Sequence, residues 1–182
     1  MAHARPLHAL VAAVLFAYAA SVAAQPPVAE TLIASLEQRL RADGAESVNS
    51  FLSARPSSMA EVNQRAADCE PRAVSLAVKL SRSANAKAAD LHKESLRIAM
   101  GACAHHVLSL LALKEVPQVC ASVSSWSVTQ TARELRRRIR EIETDESLRS
   151  SERGQACSAA YRFELENTRV GVRVGPPKGA TK

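Results

Sequence analysis

The longest apolar run outside the first two dozen residues predicts a buried central helix. The run spans Leu96–Leu113 and contains Cys103 and the adjacent histidines His105 and His106. Helical spacing continues upstream, so we expect one helix from about residue 87, roughly 40 Å long at 1.5 Å per residue. Gly101 in its middle suggests close approach of a neighbouring helix. The predicted buried seam comprises Leu91, Ile98, Ala102, His106, Leu110 and Leu113.

Shorter amphipathic stripes lie on both sides of this run. Apolar residues recur at helical spacing in several further segments, among them those of Leu32, Leu36 and Leu40; Val62 and Ala66; Leu135, Ile139 and Ile142; and Ala156, Ala160 and Phe163. Pro56 and Pro71 mark helix boundaries. We therefore predict an all-α fold, a small disulfide-cross-linked bundle of five to seven helices over residues 25–168. Residues 169–182 are basic and rich in Gly and Pro, and we expect a disordered, flexible C-terminal tail there.

The first 24 residues have the pattern of a secretory signal peptide. Arg5 precedes the apolar stretch Leu7–Ala20, and Ser21–Ala24 supplies small residues for cleavage. The apolar stretch is shorter than the ~20 residues of a membrane-spanning helix. Cleavage would leave 158 residues with a net charge of +5. We expect an exported protein with no stable membrane span, periplasmic in a Gram-negative cell and otherwise secreted.

The four cysteines, Cys69, Cys103, Cys120 and Cys157, predict two disulfides. Their number is even and all of them follow the signal segment. Helix lengths favour one pairing: a helix from Pro71 that turns back after about 13 residues returns the chain beside Cys69 near Cys103. This leaves Cys120 to pair with Cys157. A Cys103–Cys120 bridge would be out of register by about 10 Å, which exceeds the Cα separation that a disulfide allows.

The residues around His105 and His106 resemble a metal or hydrolase site at first sight. Cys103 and His106 share a helical face, but zinc sites need three or four ligands, and the remaining histidine after the signal, His92, is over three turns away. A bridged Cys103 also has no thiolate to offer. No Gly-x-Ser-x-Gly motif is present, and the even cysteine count leaves no spare thiol. We therefore predict no enzyme activity, cofactor or metal, with a metal-handling protein or hydrolase using His105 and His106 as the alternative.

Four arginines form the one notable surface pattern. Arg133, Arg136, Arg137 and Arg140 recur at i, i+3, i+4 and i+7, on the side of a helix away from Leu135. Such a face could bind an acidic protein, and it could equally be solvated surface with internal ion pairs such as Glu134–Arg138. Stacking aromatics are absent nearby, which argues against nucleic acid.

These patterns together predict a protein that works by contact. We expect an exported, non-catalytic helical protein that binds another macromolecule in the cell envelope, as an inhibitor, an immunity-type protein, a chaperone or an assembly accessory. The partner-binding candidates are the four arginines, and a protein partner is favoured. A structural or lipid-surface role for the basic tail is a further alternative. The sequence does not specify the oligomeric state.

Overall fold

The structure is a computed structural model that describes residues 28–173, and all of its regular secondary structure is helical, with no strand in that range. The helices are α1 Val28–Ser53, α2 Pro56–Ala67, α3 Pro71–Leu80, α4 Ala86–Ala99, α5 Ala104–Leu110, α6 Val116–Val119, α7 Val128–Thr144, α8 Glu146–Ser150 and α9 Glu152–Arg173, with a 3₁₀ turn at Leu113–Glu115. Seven of these have at least seven residues. The all-α prediction is therefore confirmed.

The helices form two groups that share one core. Helices α1–α4 pack on one another, and α7, α8 and α9 form the second group. Helix α6 contacts both α4 and α9 and so joins the groups. A single apolar cluster runs through both, from Ile33 on α1 to Leu165 on α9. Buried Tyr161 supplies the largest side chain of this otherwise aliphatic interior.

Helix α1 bends at Gly44, which divides its two apolar stripes. Gly44 has φ 79° and ψ 173°, a left-handed conformation that glycine adopts without penalty. The stripe before the bend buries Ile33 and Leu36, and the stripe after it buries Val48 and Leu52.

The predicted central helix is wrong: the apolar run is divided between α4 and α5. Helix α4 ends at Ala99. The amides that follow donate to carbonyl oxygens three residues back, as in a 3₁₀ turn: Gly101 N donates to Ile98 O, and Ala102 N donates to Ala99 O. Two causes are visible, the poor helix propensity of Gly101 and the disulfide that holds Cys103 at the start of α5.

The predicted seam of this run is also wrong. Leu91, Ile98 and Leu113 are 45%, 44% and 41% exposed. The buried side of α4 carries mostly small residues instead, namely Ala88, Ala89, His92, Ser95, Leu96 and Ala99. Small side chains let α2 and α3 approach the α4 backbone closely, and this packing outweighs the larger apolar area of Leu91 and Ile98.

Two disulfides connect the helices as predicted. Cys69 pairs with Cys103, with Cα atoms 6.0 Å apart, and Cys120 pairs with Cys157 at 5.2 Å. The first bridge joins the start of α3 to the start of α5, and the second ties the end of α6 to α9. Cys69 has φ 64°, and the 6→1 hydrogen bond from Glu70 N to Arg65 O around it closes α2.

The last helix extends beyond its predicted end. Helix α9 continues to Arg173, so the first five residues of the predicted tail, 169–173, are helical. The predicted signal peptide at 1–24 and residues 174–182 lie outside the described residues. Between residues 28 and 173, none of the helices has the length and apolar content needed to span a bilayer.

Replacing Gly154 with alanine should lower the free energy of unfolding by about 2 kcal/mol, because the methyl group overpacks a rigid contact. A Cβ at Gly154 would lie 1.9 Å from the Leu148 carbonyl oxygen, so the α8 backbone must move. Guanidinium denaturation measures the loss. Gly101→Ala is the matched control, since a Cβ there would lie no closer than 3.1 Å to any neighbouring atom. Equal stability of the Gly154→Ala variant and the parent would contradict the α8–α9 packing described here.

Candidate functional site

Helix α7 places the four predicted arginines on one surface, which we call the arginine face (Arg133, Arg136, Arg137 and Arg140). The helix begins where Ser127 Oγ accepts a hydrogen bond from Gln130 N, at 3.2 Å. Its apolar side, with Leu135 and Ile142, packs towards α9. Three of the four arginines are exposed and Arg137 is half-buried. The sequence thus predicted the grouping of these residues correctly.

Two members of the arginine face are engaged in ion pairs on α7 itself. Glu134 accepts hydrogen bonds from Arg137 Nε at 2.9 Å and from Arg133 Nε at 3.2 Å. The hydrogen bond from Arg137 is the main cause that lowers the pKa of the Glu134 carboxyl. Arg137 also pairs with Glu141, as its spacing suggests. The pair proposed between Glu134 and Arg138 is not formed.

Arg136 and Arg140 carry the unbalanced charge of the face. Both side chains are exposed, and neither makes an ion pair or hydrogen bond with any of the side chains described between residues 31 and 168. They are separated by one helical turn and therefore project side by side. The structure thus retains two solvated guanidinium groups at the centre and end of the face.

Arg138 is the residue that sequence reasoning missed. Its side chain is only 3% exposed and lies 4.8 Å from the centroid of the Trp126 ring. Nη1 donates to the Arg97 carbonyl oxygen at 2.7 Å and to Tyr161 Oη at 3.2 Å. Burial is the main cause that raises the pKa of Tyr161. A signal was present in the sequence, because Arg138 occupies the i+3 position from Leu135 within the apolar stripe.

His105 is brought to an acid and a hydroxyl 40 residues away. Its Nε2 lies 2.7 Å from Asp145 Oδ2, and its Nδ1 lies 3.4 Å from Ser147 Oγ. Hydrogen bonding from His105 is the main cause that lowers the pKa of Asp145 to about 2. His105 and Ser147 border an open cavity of about 360 Å³ between α5 and α8, which Arg153 also lines.

His106 does not join this cluster. Its Nε2 instead lies 3.4 Å from the Pro71 carbonyl oxygen, on the other side of α5. Cys103 is held in its disulfide. Within the described part of the chain no group of three or more His, Cys, Asp or Glu side chains could hold a metal ion. The structure therefore does not bring together the metal ligands that the sequence placed next to one another.

His92 is buried within a polar cluster of α1, α2 and α4. Nε2 lies 2.9 Å from Asn49 Oδ1, and Nδ1 lies 2.7 Å from the Asn63 amide oxygen. Asn49 Nδ2 donates to Leu80 O, which fixes that amide and makes His92 Nε2 the protonated nitrogen. Burial lowers the pKa of His92 to about 4, so the ring is neutral near pH 7.

A neutral His92 requires a donor opposite its bare Nδ1. A 180° turn of the Asn63 amide, which exchanges Oδ1 and Nδ2, supplies it. Ser95 Oγ lies 3.4 Å from the same amide position and donates to the His92 carbonyl oxygen, so its lone pairs can accept the second amide hydrogen. With that orientation both ring nitrogens of His92 are satisfied, which is typical of a structural core histidine rather than a metal ligand.

Comparisons with protein-family models, with curated protein sequences and with solved structures find no match to this chain.

Proposed function

We propose that the protein is an exported, non-catalytic helical protein that binds another macromolecule of the cell envelope through the arginine face. The observation that carries the proposal is the pair Arg136 and Arg140, exposed and without acidic partners in the described residues. Charged groups that the fold itself does not neutralise are available to an acidic surface, where they speed encounter and select the partner. Such a contact would suit an inhibitor, an immunity-type protein, a chaperone or an assembly accessory.

Export is proposed from two independent features. The first 24 residues have the order of a secretory signal, with a basic start, an apolar stretch and small residues before the cleavage position. All four cysteines are bridged, and such pairing persists in oxidising compartments. A protein partner in the envelope is consistent with this location.

Reversing the charge of Arg136 and Arg140 should abolish partner capture. The test is affinity capture from an envelope extract with the parent protein and with the Arg136→Glu/Arg140→Glu variant. Proteins recovered with the parent should be missing from the variant, and their recovery should fall as salt is raised. The matched control is Arg41→Glu/Lys114→Glu, which changes the net charge equally at exposed positions outside α7. Equal recovery with all three proteins would refute the proposal.

A hydrolase is the second candidate, because His105, Asp145 and Ser147 have the connectivity of a catalytic triad. With Nε2–H donating to Asp145, His105 Nδ1 can take the Ser147 proton as Oγ bonds to an ester carbonyl carbon. The proton would then pass to the departing alcohol. Against this reading, Asp145 caps α8 by accepting from Ser147 N and Leu148 N, so those amides are not free to stabilise an oxyanion.

Hydrolysis of p-nitrophenyl acetate separates the two candidates. We expect a rate that is unchanged by Ser147→Ala and His105→Gln, since the cluster serves as a helix cap. His106→Gln is the matched control at the neighbouring histidine outside the cluster. Activity that disappears in the Ser147 and His105 variants and persists in the His106 variant would make the hydrolase the leading function.

A further inference from the structure

A cavity of about 360 Å³ lies between α2 and α4, beside the end of α1. Its inner wall is apolar, because Leu52, Met59 and Ala88 are buried there. Its outer edge is open to solvent and includes Leu91, which is 45% exposed although its spacing predicts a core position. A largely apolar cavity of this size with few polar groups is typical of a small-ligand site. We call it the α2–α4 cavity (Leu52, Met59, Asn63, Lys87, Ala88 and Leu91).

Lys87 is the charged residue among those that line the α2–α4 cavity. Its side chain is exposed, and it makes no ion pair or hydrogen bond with any of the side chains described between residues 31 and 168. The nearest acid along α4, Asp90, pairs instead with Lys93 at 3.3 Å. An acidic group of a ligand can therefore reach the Lys87 amine without displacing an existing ion pair, and it would form a charge-assisted hydrogen bond there.

Asn63 adds a hydrogen-bond acceptor to the cavity. Neutral His92 fixes the orientation of the Asn63 amide, with Nδ2 towards His92 Nδ1 and towards Ser95 Oγ. The amide oxygen then takes the outer position, where no described residue donates to it. That position is accessible to solvent, and Asn63 lines the cavity, so a ligand there can donate to this oxygen. A ligand made only of hydrocarbon would cover the oxygen without giving it a partner, which is unfavourable.

The apolar wall, the cation and the acceptor together select a ligand that has an alkyl chain, an acidic group and a hydroxyl. Ser53, the remaining polar residue of the lining, is exposed and its hydroxyl can either donate or accept, so it does not discriminate between ligands. The cavity volume is at the lower end for small-molecule pockets. This size favours a single chain of medium length over a lipid with two chains.

We propose that the α2–α4 cavity binds a medium-chain hydroxy fatty acid, with its alkyl chain on the apolar wall, its carboxylate on Lys87 Nζ and its hydroxyl donating to the Asn63 amide oxygen. The bound chain covers Leu91, which explains why this apolar side chain is exposed in the free protein. None of the lining residues lies on α7. The site therefore goes beyond the proposed function and does not depend on the arginine face.

Isothermal titration calorimetry with 3-hydroxydecanoate as the probe tests this proposal. The parent protein should bind the probe about tenfold more tightly than decanoate, which leaves the Asn63 oxygen unpaired. It should also bind the probe at least tenfold more tightly than 3-hydroxyhexanoate, which buries fewer methylene groups. The Met59 methyl signal in NMR should shift on binding, since Met59 lies on the inner wall.

Two variants separate the carboxylate from the chain. Lys87→Gln should weaken the Kd of 3-hydroxydecanoate about tenfold, to that of its methyl ester, and should leave the Kd of the methyl ester unchanged. Ala60→Phe places an aromatic ring at the cavity edge and should weaken the acid and the methyl ester alike, at least tenfold. The matched controls are Lys114→Gln and Ala159→Phe, at exposed positions outside the cavity, and both should bind as the parent does.

Each of four outcomes would overturn the proposal. No saturable binding of 3-hydroxydecanoate up to about 1 mM, or bound probe with an unshifted Met59 signal, would exclude this ligand from the cavity. Equal affinity for decanoate would remove the contact with Asn63. Equal affinity of the parent for the methyl ester would indicate a hydroxyacyl chain esterified in a lipid instead of the free acid. A weakening by Arg136→Glu/Arg140→Glu as large as that by Lys87→Gln would show an effect of net charge instead of a contact with Lys87.

Discussion

Replacing Cys120 and Cys157 with alanine should lower the free energy of unfolding by about 4 kcal/mol. The bridge joins residues 37 apart, and opening a loop of that length returns conformational entropy to the unfolded chain. Both cysteines are fully buried, so lost packing adds to the entropic effect. Guanidinium denaturation of the oxidised parent and of the Cys120→Ala/Cys157→Ala variant gives the difference.

The other bridge provides the comparison. Cys69 and Cys103 are 34 residues apart, so the entropic contribution is nearly the same. Cys69→Gly/Cys103→Ala is the suitable variant, because glycine accepts the φ of 64° at position 69. Both of these cysteines are only partly buried, and we expect a loss no larger than that of the first pair. A loss several-fold larger at Cys69–Cys103 would contradict this account of loop length and burial.

The Cys120–Cys157 bridge also helps to hold the helix that carries the arginine face in place. Helix α7 packs on α9, and α9 is held to α6 by Cys157. Arg138 adds a second connection, since its Nη1 joins α7 to the last turn of α4 and to Tyr161 on α9. The face is thus presented on a helix that is fixed from two sides, which reduces the ordering cost of binding.

The fold class and the disulfide pairing could be predicted because both depend on local regularities. Helical spacing of apolar residues indicates helices directly. The pairing could be predicted from the lengths of the two helical segments between Cys69 and Cys103. Because these segments are antiparallel and similar in length, the second one brings the chain back beside Cys69 near Cys103. The central helix is not continuous, yet the predicted pairing holds because α4 ends at Ala99, close to Cys103.

The buried seam of α4 could not be predicted from the apolar pattern alone. Leu91 and Ile98 have the spacing of a buried face, yet both are exposed. The buried side of α4 instead carries alanines and His92. Which side of a helix is buried depends on how closely its neighbours approach, and this is a property of the whole assembly. The polar partners of His92, namely Asn49 and Asn63, lie 43 and 29 residues away.

In the candidate site, too, features within one helix could be predicted, whereas contacts between distant segments could not. The arginine face follows from spacing within one helix, and the sequence predicted it residue by residue. Contacts between distant segments did not follow: His105 meets Asp145 across 40 residues, and Arg138 meets Arg97 across 41. Sequence spacing also suggested that Arg138 pairs with Glu134, but burial of its neighbours Leu135 and Ile139 draws the side chain inward.

Acidification from pH 6.5 to pH 4 should remove about 3 kcal/mol of stability through His92 alone. The unfolded chain binds a proton on His92 below its ordinary pKa of 6.5, whereas the folded protein holds the pKa at about 4. Between these values the unfolded state carries more protons, so the free energy of unfolding falls as the pH falls. The loss is complete near pH 4, where the folded protein also takes up the proton.

The window from pH 6.5 to 5 isolates this histidine from the carboxylates. Glu37, Glu94, Glu115 and Glu134 have lowered pKa values, so their stabilisation is lost only as the pH falls through and below about 4.5. Urea denaturation across the window should show a slope in the parent and in His106→Gln, and a much smaller slope in His92→Gln. The His92 ring signal in NMR should not titrate above pH 5. A His92 ring that titrates near pH 6.5, or an unchanged slope in His92→Gln, would show that this residue does not govern acid stability.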